Sequence, residues 1–164
     1  MEMEYRRATD DDLESLWRAN IADNSSDPRW SQWKVEYIGY NHDGRGVTFA
    51  VVCDGEPVGE GTLLFSPDCR AIGGQTGLAD GMTVANINAL RIRKTYEGQG
   101  HISALVRLME QYARDRGIKR LTIGVDAKES RNLAIYLHWG YSRYITYEIE
   151  DDQPVLYYAK ELNP

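Results

Sequence analysis

Cysteine is scarce: Cys53 and Cys69 are the only two in 164 residues. Two thiols in a chain of this size cannot build a disulfide framework, so the fold has to rest on an apolar core. Histidine is almost as rare, and His42, His101 and His138 each read first as a surface or helix-end residue. No metal is expected. Basic charge is also short, with 25 acids against 19 bases and a net charge of −6. A general nucleic-acid binder carries a basic face, which disfavours that class; a cationic substrate is compatible with the balance. No segment approaches the ~18 apolar residues that would span a bilayer. The opening MEMEYRRATDDD is charged and has no apolar run behind it, so no secretion signal is expected. A cytoplasmic chain with neither nucleic-acid nor membrane partners follows, folded as a single domain over residues 1–164. Oligomeric state is not set by the sequence, and a homodimer is compatible with it.

What is present alternates between strand and helix patterns. MEYRRA (3–8) suits an edge strand, and Thr9 or Asp10 then caps a helix carrying Leu13, Leu16, Trp17 and Ile21. Asn20 is the polar residue on that face. A second helix is predicted from Pro28 to Tyr40, with Trp30, Trp33 and Tyr37 on one side. VTFAVVCDG and EPVGEGTLLF read as a hairpin turning at Asp54, Gly55 and Glu56. Residues 66–81 are glycine-rich and aperiodic, which predicts a long loop of the kind that is often functional. MTVANINALRIR, the amphipathic HISALVRLMEQYARDRG and KRLTIGVDA then form a strand, a helix and a strand, hence a right-handed crossover between parallel strands. SRNLAIYLHWG is a short helix, and YSRYITYEIED with QPVLYYAKEL closes the chain as a hairpin. The fold class is mixed α/β: a mostly antiparallel sheet with one parallel pair and helices on both faces.

RIRKTYEGQGHIS (91–103) joins the predicted central strand to the long helix. A helix start leaves its first N–H groups unpaired at the positive end of the dipole, and glycine lets an anion approach them. Two readings stand on the residues alone: Gly98 and Gly100 grip a phosphate, or they only shape a turn. The dinucleotide fingerprint would need a third glycine where Ser103 stands, and a phosphate-loop ATPase would need Gly-Lys-Ser/Thr.

The order of these pieces resembles the GNAT superfamily of acetyl-CoA-dependent N-acyltransferases. The resemblance is carried by NALRI, then YEGQGHISALVRLMEQYARDRG, KRLTIGV and IYLHWGY, with Tyr136 four residues before Gly140 and Tyr141 after it. The family pattern Arg/Gln-x-x-Gly-x-Gly/Ala keeps its central glycine as Gly100, but Glu97 and Ile102 stand at its two ends. The asparagine often found seven residues before the tyrosine is Glu129 here.

The resemblance implies direct transfer of an acetyl group from acetyl-CoA, with no metal, to the primary amine of a small molecule, with polyamines and aminoglycoside-like compounds as examples. It implies that Gly98, Gln99, Gly100, His101, Ile102 and Ser103 hold the diphosphate, and that Glu97 and Ile102 offer it backbone rather than side chain. The backbone at Ile92 and Arg93 would pair with the pantetheine arm. Arg91, Arg93, Lys94 and His101 would offset Glu97. Tyr136 would act as the acid that protonates the departing thiolate. Trp30, Trp33, Glu36 and Asn88 would meet the acceptor, with Asn86 assisting, although packing on the sheet is the favoured account for at least two of the aromatics Trp30, Trp33 and Tyr37. Glu60, Asp80 or a water relay are the candidates for the base. Two other readings stay open: acetylation of a protein N-terminus or lysine, and a GNAT-like domain that binds acyl-CoA without turnover.

Overall fold

The computed structural model describes residues 1–163. In chain order the elements are β1 (Met3–Arg7), α1 (Asp10–Asp23), α2 (Arg29–Asp43), β2 (Gly46–Cys53), β3 (Glu56–Leu64), β4 (Val84–Ile92), α3 (His101–Asp115), β5 (Arg120–Asp126), α4 (Ser130–His138), β6 (Arg143–Glu150) and β7 (Gln153–Glu161). The strands run in the order β1-β2-β3-β4-β5-β7-β6, mostly antiparallel, with β4 and β5 as the parallel pair. The mixed fold class and the strand–helix–strand crossover read from the sequence are both present. The chain forms two compact units: residues 1–63 with 89–111, and residues 64–88 with 112 onward. Ala89, at φ +53, opens the part of β4 that belongs to the first unit.

In the first unit, β1 pairs antiparallel with β2 from Met3↔Cys53 to Arg7↔Phe49. β2 is buried along its whole length, which its β-branched run VTFAVV allows. Asp54 (φ 49) and Gly55 (φ 82) turn it into β3, both with the positive φ of a type I′ hairpin. Period-two alternation then sorts β3. Gly59 and Gly61 share one face, where a Cβ on Gly61 would come within 2.7 Å of Leu90 Cδ1 and 2.9 Å of Met109 Sδ. These glycines let α3 and β4 close onto β3. Glu60, between them, faces the opposite way.

The start of α1 is fixed by a reciprocal cap. Thr9 Oγ1 accepts the Asp12 N–H (3.1 Å), and Asp12 Oδ2 accepts the Thr9 N–H (2.9 Å). Arg6 adds two bonds to the same carboxylate, Nη2 to Oδ1 at 3.0 Å and Nε to Oδ2 at 3.2 Å. Burial pushes the Asp12 carboxyl up, but the hydrogen bonds and charge of Arg6 and the Thr9 N–H outweigh it, and the net shift is downward. A lowered carboxyl stabilises the fold above its unfolded value near ~4, and that stability is lost as pH falls through the folded value. Asp12→Asn is therefore expected to cost about 1–2 kcal/mol at neutral pH. Urea melts of variant and wild type should converge as pH falls through the folded value, below which both side chains are neutral; a constant gap would remove this carboxylate from the acid sensitivity.

In the second unit, the parallel register runs from Val84↔Arg120 to Ile87↔Ile123. β5 pairs antiparallel with β7 from Arg120↔Glu161 to Asp126↔Val155, and β6 closes on β7 with a register shift between Tyr144 and Thr146. The 66–81 segment lacks regular structure, as expected, but it is packed down. Cys69, Ile72, Leu78 and Ala79 are buried, Thr122 Oγ1 donates to Leu78 O (2.8 Å), and successive turns bond through Ser66, Cys69 and Gln75. Apolar residues scattered among glycines carry no periodic signal, which is why they were not visible as anchors.

Candidate active site

The turn after β4 is shaped by backbone requirements. Arg93 N–H donates to Val58 O (2.9 Å), so strand alternation turns the Ile92 peptide to the other edge of β4. A short 3₁₀ turn at Lys94–Tyr96 follows, and Glu97 N–H donates to Lys94 O (3.2 Å). The Glu97 backbone is thus engaged within the turn, contrary to the expectation that it faces an anion; its side chain is exposed. Gly98 (φ +71) and Gly100 (φ +85) are left-handed, and a Cβ on either would meet nothing within 4 Å. Ala104 N–H donates to Gly100 O (3.0 Å), the first bond of the helix. The N–H groups of His101, Ile102 and Ser103 precede it and have no carbonyl four residues back within the helix.

The side chains around the turn are ordered by each other. His101 sits with Nδ1 at 2.7 Å from the Tyr5 hydroxyl and Nε2 at 3.3 Å from Gln99 Oε1. With the Gln99 amide donating from Nε2 to Thr95 O (3.1 Å), its Oε1 accepts, which makes His101 Nε2 the protonated nitrogen. Ser103 Oγ accepts from Arg107 Nη1 (2.8 Å), bringing a cation to the first helical turn. Arg93 pairs with Glu56 (3.0 Å) and Arg91 turns elsewhere, so of the cations expected to offset Glu97, Lys94 is left without an ion pair among the described residues. Exposed left-handed glycines, open space above them and first-turn N–H groups without an intrahelical partner, with Arg107 nearby, are what an anionic phosphate ester requires.

A second feature lies in the same unit. Glu60 is 2% exposed, and its Oε2 accepts from Asn20 Nδ2 (2.8 Å). Arg91 Nη2 stands 3.6 Å from Oε1, too far for a direct hydrogen bond. The guanidinium lies over Trp30 (4.8 Å) and Trp17 (5.3 Å). Its Nε is buried and meets no acceptor among the described residues. These groups border a cavity of about 220 Å³ that Asn20, Asp23, Trp30, Glu60, Arg91 and Ile92 help to line. Trp33 packs edge-on against Trp30 (5.1 Å) under Arg29. Glu36 is half-buried on α2 and is not among the cavity's lining residues.

In the second unit, Tyr136 is half-buried on α4, its ring 5.7 Å from that of Trp139. Burial pushes its phenol above the ordinary value, and the charge of Glu129 adds to the rise. Asn86 is buried and donates to Thr122 Oγ1 (3.0 Å), and Asn88 Nδ2 donates to Asn86 Oδ1 (3.2 Å). Asp80 caps the chain entering β4. Its Oδ1 accepts the N–H groups of Met82, Thr83 and Val84 at 2.8–2.9 Å, and these bonds lower its pKa against the cost of burial.

The family model for acetyltransferases of the GNAT family matches residues 10–141. The chain belongs to the acetyltransferase (GNAT) family. Similar solved structures include a GNAT-family acetyltransferase from Desulfovibrio desulfuricans, 13% identical, with a TM-score of 0.75 over 99% of this chain and 100% of that one. A spermidine N-acetyltransferase chimera from Vibrio cholerae and a second source is 13% identical with a TM-score of 0.72, covering 99% of this chain and 96% of that one. A ribosomal-protein-alanine N-acetyltransferase from Brucella melitensis is 16% identical with a TM-score of 0.71, covering 97% and 99%. A search of curated proteins finds no match. At these identities the solved structures speak for the fold.

Against the GNAT frame, the residues first read as the cofactor turn fall together at 92–103 in one unit, and Trp30 falls on the cavity. Arg91 and Asn20 were missed as members of a site. The signal existed: Glu60 and Arg91 sit on adjacent strands, each flanked by residues of opposite facing, and the apolar face of α1 has one polar position, Asn20. Among the described residues no group of histidine, cysteine and carboxylate side chains could hold a metal, and no helix is long and apolar enough to cross a membrane.

Proposed function

We propose that the protein transfers an acetyl group from acetyl-CoA to the primary amine of a small molecule. The observation that carries this reading is the open glycine turn: exposed left-handed Gly98 and Gly100 leading into the N–H groups of His101, Ile102 and Ser103, which have no carbonyl partner within the helix. The residues fit a diphosphate, with Arg107 and Lys94 as the nearby cations. Ile92 offers the peptide edge that the Arg93 N–H, bonded to Val58, does not. Acetyl-CoA, when bound, supplies an activated thioester whose carbonyl carbon is electrophilic. The chain's own work is to orient that thioester through the turn and the Ile92 peptide, and to supply a proton from the Tyr136 hydroxyl to the departing sulfur. The balance is an ammonium and a thioester giving an amide, a thiol and one proton to solvent. Glu60 and Asn20 border the cavity that would receive the acceptor. Polyamines and aminoglycoside-like compounds fall within the class.

Thiol release from acetyl-CoA should exceed the amine-free rate at least tenfold with some member of a panel of amino acids, polyamines and aminoglycosides. If acetyl-CoA raises the melting temperature but only peptides are acetylated, the protein-acetyltransferase reading replaces this one. If nothing is acetylated, the chain is a binding domain. Failure to bind acetyl-CoA at all would remove the role given to the turn.

A further inference from the structure

Glu60 and Arg91 form an ion pair that is not closed. A carboxylate and a guanidinium in direct contact bond at about 2.7–2.9 Å, commonly through two parallel bonds. Here the separation is 3.6 Å. Glu60 Oε2 has Asn20, but among the described residues Oε1 has only this long contact. Arg91 has five N–H donors, and its buried Nε has no acceptor among the described residues. Leaving such groups unsatisfied is costly in a protein interior. Both side chains line the same cavity, so an underused anion and an underused cation stand side by side in it, with the exposed carboxylate of Asp23 farther out on the same lining.

At Glu60 itself the arrangement argues against a second cation as the sole occupant. The usual features of a cation seat are a carboxylate and aromatic faces. In this cavity the protein's own guanidinium already lies over Trp17 and Trp30 and faces Glu60. A second cation would enter beside Arg91 and be repelled by it. A ligand that carries both charges on neighbouring atoms meets each unsatisfied group with its opposite.

We infer that the cavity between α1, β3 and β4 binds the zwitterionic head of an α-amino acid, its ammonium on Glu60 Oε1 and its carboxylate on the Arg91 guanidinium. Asn20 holds Glu60 for that contact, and Trp17 with Trp30 hold the guanidinium. The inference rests on the acetyltransferase reading, in that the amine held by Glu60 is the acceptor. It narrows that reading from small primary amines to amino acids whose carboxylate is free. A cavity of about 220 Å³ leaves room beyond the head group for a side chain of moderate size.

The test uses the full chain at saturating acetyl-CoA. Thiol release is followed with the twenty amino acids, each beside its methyl ester and its decarboxylated amine, and with spermidine. At least one free amino acid should be used with kcat/KM tenfold or more above both its ester and its amine. Arg91→Lys should raise the KM for that amino acid at least tenfold and bring its advantage over the ester toward one, because lysine keeps the charge but loses the forked donor. Glu60→Gln should raise the KM for acid and ester alike. The KM for acetyl-CoA should stay within about twofold in both variants, a split that general unfolding would not produce. The inference is overturned if spermidine or the esters are used as well as the free acids, or if Arg91→Lys leaves the acid-to-ester ratio unchanged. In those cases acetyl transfer to amines still stands; absence of acetyl-CoA binding would instead bring down the reading beneath it.

Discussion

Replacing Tyr136 with phenylalanine is expected to lower kcat by about 10²–10⁴-fold, the usual worth of a positioned proton donor, while acetyl-CoA still binds. Two tyrosines close α4 and they differ in kind. Tyr141 is fully buried, its N–H donates to Tyr136 O (2.9 Å), and it follows Gly140, which at φ +98 ends the helix. Tyr141 is core. Tyr136 stays half-buried, and its hydroxyl makes no hydrogen bond among the described residues. Its ring contact with Trp139 survives in phenylalanine, so stability should change little. Burial and the nearby Glu129 hold the phenol above its ordinary value near ~10. It is therefore protonated throughout the neutral range and able to donate. The wild-type rate should rise with pH as the acceptor amine loses its proton, then fall only above pH ~10 as the phenol ionises. That high-pH descent should vanish in Tyr136→Phe. An unchanged kcat, or a descent that persists in the variant, would take Tyr136 out of the chemistry.

Much of the fold was legible because its elements are strongly periodic. The α3 stripe through Leu105, Val106 and Met109, the β-branched run of β2 and the Asp-Gly turn at 54–55 each show one dominant local signal. The glycine turn was legible through its position between a strand and a helix. The 66–81 segment was legible as a loop but not as a packed one, because its anchors Cys69, Ile72 and Leu78 are held by turns rather than by a repeat. Asp80 shows the same limit at the level of chemistry. As a residue type it qualifies as a base, and only the three N–H groups folded onto it reveal a capping role.

Glu97 was misread for a related reason. A motif position indicates which residue stands near a ligand, but not whether its N–H is already bonded one turn back, as the Glu97 N–H is to Lys94. The Glu60–Arg91 pair lies at the far end of this scale. It depends on strand register and on two tryptophans from different helices, neither of which any single stretch of sequence displays. Trp30 was anticipated as an acceptor contact; it lines the cavity, and its ring also carries the Arg91 guanidinium.

Gly100→Val is expected to weaken acetyl-CoA binding by about 10²-fold with little change in kcat at saturation. The reason is conformational. Gly100 sits at φ +85, and no heavy atom lies within 4 Å of where its Cβ would be, so crowding by the protein does not require glycine there. A β-branched residue held in that region costs about 1–3 kcal/mol. The turn can relieve that strain by rotating, which would re-aim the N–H groups of His101, Ile102 and Ser103. Each charge-assisted hydrogen bond lost to a phosphate is worth about 1.5–3 kcal/mol. Strain alone also destabilises, and Gly44 separates the two effects. It has nearly the same backbone angle, φ +84, the same open surroundings and a C-cap position on α2. Gly44→Val should lower the melting temperature by a similar amount and leave the acetyl-CoA Kd unchanged. Equal effects of the two substitutions on Kd, whether both large or both absent, would mean that Gly98 and Gly100 shape a turn and nothing more.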